Sequence, residues 1–181
     1  MGKFKYPNTY THQNGECIIH CFDCTGQSTG DIIIDESDFL NVSQYQWHIE
    51  KSRNNLKYAQ TIIGKRPNKR TMRLHRLILS SLEQIDHINH NGLDNRRVNL
   101  RICTNAENNR NKQSNRNPKS GHTGIRYNEK TDSYYVRIMV DKKEISLGHY
   151  KTLDEAIAAR TAGEIRYFGE FRFKDNNCNE Q

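Results

Sequence analysis

The sequence predicts an α+β chain assembled from small pieces. These are a β-rich N-terminal module, a strand–turn–strand–helix segment, and a C-terminal three-stranded antiparallel sheet packed on one helix. Three observations predict this. Apolar residues make up only 34% of the 181 residues, which suits several small cores better than one large one. Short apolar runs bounded by Gly, Pro and Asn turns recur through the chain, the mark of short strands. Two capping boxes, Thr104-Asn-Ala-Glu107 and Thr152-Leu-Asp-Glu155, open helices. The boundaries that follow are 1–70, 71–112, a linker at 113–120, and 121–175.

In the first module, Cys17 to Phe22 alternates weakly and Gly26 to Gly30 is a turn. Asp31 to Asp35 carries three consecutive isoleucines, a buried strand. Ser37 to Tyr45 reads as a short helix with Phe39, Leu40 and Val42 as its apolar contacts. Trp47, the single tryptophan, anchors the core. Tyr58 to Ile63 is a further strand, followed by a basic turn from Lys65 to Arg70 that can touch phosphate. Thr71 to Ser81 runs from a strand end into a short helix with Leu74, Leu77 and Ile78 inward. His75 and Arg76 sit at that junction as supporting residues.

Next comes Gln84 to Lys112, QIDHINHNGLDNRRVNLRICTNAENNRNK. An acid–histidine pair, Asp86-His87, is followed by a polar turn from Asn89 to Asn95 and a strand-like run from Val98 to Ile102. The helix at Thr104 is rich in asparagine, which costs about half a kcal/mol per residue against alanine in a helix. Asn105, Asn108 and Asn109 share one face. Gln113 to Ser120 has no apolar residue and cannot fold alone.

Beyond Gly121, the strands are Ile125 to Asn128, Tyr134 to Val140 and Glu144 to Leu147. Val136, Ile138 and Val140 share one face by period-two alternation. The other face carries Tyr135, Arg137 and Met139, with Arg126 and Asn128 on the first strand. The helix opened by Thr152 lasts to about Phe168 and offers Ala156, Ala159 and Gly163 for close packing. A basic, aromatic sheet face left free suits the DNA major groove.

Charge and cysteines narrow the class. The net charge is +7, from 28 Lys+Arg against 21 Asp+Glu. Basic clusters at Lys65 to Arg76 and at Arg96, Arg97, Arg101, Arg110, Lys112, Arg116 and Lys119 suit a polyanion, and no amphipathic basic helix points to a membrane surface. A mean hydropathy of −0.97 leaves no bilayer span. The start of the chain lacks a signal-peptide core, so a cytoplasmic protein is expected. Five cysteines, an odd count, argue against a disulfide framework. Cys17, His20, Cys21 and Cys24 have no second ligand pair at zinc-like spacing downstream, so small buried or half-buried thiols are the better account.

Hydrolysis of a phosphodiester needs an activated water and a cation for the phosphorane charge. A hard cation wants oxygen ligands, which the Asp86 carboxylate and the Asn108 amide carbonyl provide. His87 has the intrinsic pKa to take a proton near neutrality. Adjacent strand residues point to opposite sides, so Asp86 and His87 share a site only where the strand kinks or ends.

Asp86-His87, then Asn99, then Asn108, with LDNRRVNLRICT between them, resembles the HNH nuclease motif of the ββα-metal fold, in the variant of phage and intron-encoded homing endonucleases. The resemblance covers Leu74 to Lys112. It implies Asp86 and Asn108 as metal ligands, His87 as general base, and Asn99 orienting the histidine or fixing the loop. It also implies one Mg²⁺ or Mn²⁺ per active site, double-stranded DNA as substrate, and 5′-phosphate and 3′-hydroxyl ends. Gly121 to about Phe171 is similar to the plant Apetala-two (ethylene-response-factor) DNA-binding domain. Gly124-Ile-Arg126, Leu147-Gly-His-Tyr150 and Glu155-Ala156 carry that likeness, with Tyr134 where the family has tryptophan. Arg137, Met139, Glu144 and Ser146 depart from the plant base-contacting residues, so the target sequence is not inherited. The expectation is a monomeric DNA endonuclease. Its rival is a DNA-binding regulator with an inactive nuclease module.

Overall fold

The computed structural model describes residues 6–52, 55–111 and 121–173. The linker expected at 113–120 and the candidate DNA contacts Lys112 and Arg116 lie outside the described residues. The chain divides into two compact units, Met1–Cys103 and Thr104–Gln181. Among the described residues the elements are short strands in four small antiparallel sheets with few helices, the α+β class.

In the first unit, β1 (Thr9–Gln13), β2 (Glu16–Phe22) and β3 (Ser28–Asp35) form one sheet in that order. Strict alternation on β2 turns Cys17, Ile19 and Cys21 inward, and the register sets Ile19 against Ile32 and Cys17 against Ile34. Ile33, the middle isoleucine, faces the other way and is half-buried. A 3-10 turn at Glu36–Asp38 leads into α1 (Phe39–Val42), a single turn. This element is shorter than the expected helix, and Leu40 is exposed rather than packed. With so few residues, α1 has one inward side, which Phe39 and Val42 occupy.

A second sheet joins β4 (His48–Lys51), β5 (Lys57–Ile63) and β6 (Arg70–Arg73). β6 runs directly into α2 (Leu74–Leu79). A two-stranded hairpin, β7 (Gln84–His87) with β8 (Leu100–Cys103), completes the unit. Val98 falls in a 3-10 turn before β8 and is exposed, so the expected strand starts two residues later.

One core serves the whole unit. Cys17, Ile19, Ile32, Ile34 and Trp47 pack together with Ala59, Leu74, Ile78, Ile85 and Leu100. Trp47 donates its indole N–H to the Val42 carbonyl at 2.8 Å. Its backbone exchanges hydrogen bonds with the buried Asn8 side chain at 2.7 and 3.0 Å. Burial pushes the Cys17 thiol up to about 11 and the Cys21 thiol up to about 12, as expected of inert core thiols.

In the second unit, α3 (Asn105–Arg110) starts with the capping box of Thr104 and Glu107. β9 (Ile125–Asn128), β10 (Ser133–Val140) and β11 (Lys143–Tyr150) form a meander with β10 central. A bulge between Val136 and Arg137 shifts the β10–β11 register. α4 (Leu153–Phe168) is capped by Thr152 and Glu155 and covers one face of the sheet. Ala156 is fully buried in that contact. A Cβ on Gly163 would stand 2.5 Å from a Leu147 methyl, so any larger residue there would make the Leu147 side chain shift.

Candidate active site

The β7–β8 hairpin places the acid–histidine pair. His87 is the last residue of β7, opposite Leu100, and Asp86 stands opposite Arg101. Both are buried. Because β7 ends at His87, the chain turns at once into the Asn89 to Asn95 loop, with Ile88 N–H bonded to the Asn99 carbonyl at 2.9 Å.

Asn99 clamps that loop. Its side-chain oxygen accepts from Asn89 N–H at 2.9 Å, and its amide donates to the Asp94 carbonyl at 2.7 Å. The N-terminal sheets hold the same loop from outside. Ile33 N–H donates to the Leu93 carbonyl at 2.9 Å, and Asn95 N–H donates to the Ile33 carbonyl at 2.8 Å. Gly92 lies on β5: a Cβ there would collide with the Lys57 carbonyl and come within 2.7 Å of the Tyr58 ring. Any other residue would push the loop off its seat.

The His87 ring meets three neighbours. His75 crosses it edge-on at 5.1 Å between ring centroids, and Tyr58 lies 6.0 Å away. Asn95 Oδ1 stands 3.4 Å from His87 Nε2. The Asn95 amide nitrogen donates to the Gly92 carbonyl at 3.4 Å, which directs its oxygen at the histidine. With the Asn95 oxygen as acceptor, the tautomer that makes this bond carries its proton on Nε2 and its basic lone pair on Nδ1. Burial lowers the pKa of His87, against the opposing effects of Asn95, Asp86 and Asp94, so the ring is neutral near pH 7. Burial also lowers His75, to about 3.

Asp86 is engaged by Arg101, whose Nε and Nη2 reach one carboxylate oxygen at 3.0 and 2.7 Å. Asp94 is held bidentately by Arg96 at 2.8 and 2.6 Å, and Arg96 also reaches Glu16 at 2.7 Å. Burial works against charge on Asp94, but its hydrogen bonds from Arg96 and Asn89 keep its carboxyl below the ordinary carboxylate range. Arg97 bonds Asp38 at 3.0 and 2.7 Å and the Ile78 carbonyl at 3.0 Å. Two arginines expected on DNA therefore have carboxylate partners within their own unit. Arg76 donates to the Ser81 carbonyl at 3.3 Å.

Asn108 lies on α3 in the second unit, half-buried. In that unit Arg110 pairs with Asp141 at 2.9 Å and stacks over Phe168. Arg126, Asn128 and Arg137 are exposed on the sheet. Arg137 pairs with Glu144, which also accepts from the Tyr135 hydroxyl at 3.1 Å.

Among the described residues no three His, Cys, Asp or Glu side chains gather to hold a metal. The sequence-derived donor set is different in kind: one carboxylate, Asp86, and one amide carbonyl, Asn108. Both are hard oxygen donors, and the chemistry of that set fits a Mg²⁺-like ion that keeps several waters.

From the sequence, Arg73 and Arg101 stood out only as members of basic clusters, Tyr58 as the start of a strand and Asn95 as the end of the polar turn; none was given a role at the site. Arg101 was readable from the hairpin alone, because pairing Asp86 with it follows once β8 begins at Leu100. Tyr58 and Asn95 reach His87 through tertiary packing that no local spacing records.

Residues 73–110 match the family model described as HNH endonuclease. No curated protein and no solved structure matches the chain. The matched stretch supports a nuclease, and a nuclease domain of this kind implies a DNA substrate. Among the described residues no helix is long and apolar enough to cross a membrane.

Proposed function

We propose that this chain is a metal-dependent, site-directed DNA endonuclease of the homing type, hydrolysing phosphodiester bonds to 5′-phosphate and 3′-hydroxyl ends. One observation carries the reading. A buried, neutral histidine closes a two-stranded hairpin beside a carboxylate, within the HNH-matching residues. A neutral imidazole held in one tautomer is a general base ready to act near pH 7.

On this reading His87 takes a proton from the attacking water at Nδ1. Asn95 holds the Nε2 proton and so fixes the tautomer and the ring plane. Asn99 and the Ile33 backbone keep the loop that carries Asn95 in place. Asp86 and Asn108 would hold one divalent cation, Mg²⁺ or Mn²⁺, which when bound supplies positive charge for the phosphorane and the departing 3′-oxygen. The exposed face of the C-terminal sheet, with Arg126, Asn128 and Arg137, seats the duplex in the manner of an Apetala-two domain. A monomer with one such site nicks one strand.

The test is cleavage of supercoiled plasmid with Mg²⁺, with and without EDTA. Nicked circles that EDTA abolishes are expected. A His87→Ala chain that cuts as fast as the parent removes the base assignment. Gel-shift binding with no metal-dependent cleavage points instead to a DNA-binding regulator.

A further inference from the structure

Arg73 ends β6 and caps α2, and its side chain is exposed. Its guanidinium lies over the Tyr58 ring, 4.4 Å from the centroid. That ring sits 6.0 Å from His87 and is wedged by Gly92 of the clamped loop. Arg73 is therefore mounted on the aromatic wall of the site. Three arginines of the HNH-matching stretch are paired with carboxylates: Arg96 with Asp94 and Glu16, Arg97 with Asp38, Arg101 with Asp86. Among the described residues no carboxylate pairs with Arg73. A cation left uncompensated beside a buried neutral base needs an anion, and a stacked guanidinium presents its N–H edge outward for one.

The same hairpin continues the charge. Arg70 starts β6, and Lys65 and Lys69 lie in the turn that joins β5 to β6, all exposed.

We propose that the β5–β6 hairpin grips the scissile strand: Arg73, mounted on Tyr58, takes a non-bridging oxygen of the phosphate that His87 addresses, and Lys65 and Lys69 in the turn take flanking phosphates. This rests on the nuclease reading for His87, but the phosphate contact can be measured without cleavage. The Arg73 contact positions the phosphorus and offsets charge as the phosphorane forms. The turn contacts bind ground state and transition state alike.

The experiment uses the full chain and a random-sequence duplex in EDTA, reading log Kobs against log salt concentration. It is paired with plasmid nicking in Mg²⁺ at saturating DNA. Arg73→Ala is expected to flatten the salt slope by about 0.9. It should also lower kcat by at least about tenfold. Arg73→Lys should restore the slope but not the full kcat, because lysine lacks the planar fork. Lys65→Ala/Lys69→Ala should flatten the slope by roughly twice as much. Lys151→Ala, a charge-matched control in the second unit, should change neither.

Arg73→Ala with the parent's slope and kcat overturns the proposal and leaves the nuclease reading standing. A flatter slope with unchanged kcat moves Arg73 to a flanking phosphate and overturns its seat beside His87. A parent that binds DNA without cleaving removes the nuclease reading, and the slope still decides the phosphate contact. A parent that does not bind DNA removes both.

Discussion

Acid should destabilise the first unit through His75, by an amount its surroundings set. The ring is 6% exposed and its pKa is lowered to about 3, with burial first among the causes and the His87, Arg73 and Arg76 charges adding to it. In the unfolded chain the same group titrates near 6.5. Below that value the unfolded state takes a proton that the folded state refuses. Stability is therefore complete above about pH 6.5 and falls as the pH drops towards 3. At pH 5 the loss from this one group is about 2 kcal/mol, on the scale of about 1.4 kcal/mol per pH unit. Trp47 is the only tryptophan and lies in the core of this unit, so its fluorescence in a urea titration reports the first unit alone. The fall in unfolding free energy between pH 7 and pH 5 should be about 2 kcal/mol larger for the parent than for His75→Gln. His48 is lowered too, but it remains in the variant and cancels in the difference. Identical pH dependence in the two chains would refute the burial argument.

Other perturbations separate scaffold from site. Arg97→Ala leaves the buried Asp38 carboxylate without its charge partner and should cost about 2 kcal/mol in the same titration, discounted for the half-exposed arginine. A loss of DNA affinity with no loss of stability would count against that bracing role. Asn99→Ala removes two loop hydrogen bonds and should cost about 2 kcal/mol while lowering plasmid nicking more than DNA binding. Equal losses in both assays would contradict it. Gly92→Ala should cost about 1–3 kcal/mol by driving the loop off Tyr58, and an unchanged urea midpoint would show that the loop is not pressed there.

Much of the second unit was legible because its signals are local. Ile125 to Asn128 and the helix ending at Phe168 are where alternation and the capping box put them. The third strand was read short, Glu144 to Leu147, because Gly148 looks like a terminus. The bulge after Val136 absorbs the register change and lets pairing continue to Tyr150. In the first unit, the isoleucine run and Trp47 announced a core, but not its extent. Nothing local ties Ile19 to Leu100, and that joint burial makes the N-terminal sheets part of the same core as the hairpin. The acid–histidine pair was visible by residue type and spacing. The network that orients His87 was not, since Tyr58, His75 and Asn95 come from three separate segments.

Net charge was the weakest guide to where DNA would lie. Arg96 and Arg97 stand in the middle of the most basic run near the motif, yet their guanidinium groups meet Glu16, Asp38 and Asp94, all from their own unit. A guanidinium already bonded to a carboxylate gains little from a phosphate, because it must give up equivalent hydrogen bonds to take new ones. The formal +7 therefore overstates the charge available at these positions and understates its focus elsewhere. Lys65, Lys69, Arg70 and Arg73 carry no carboxylate partner among the described residues, and they lie on one hairpin whose end touches the wall of the His87 site. Potential at a surface depends on which charges remain uncompensated. On the proposed reading, a polyanion approaching the first unit is drawn to the β5–β6 hairpin, and β6 leads it towards His87.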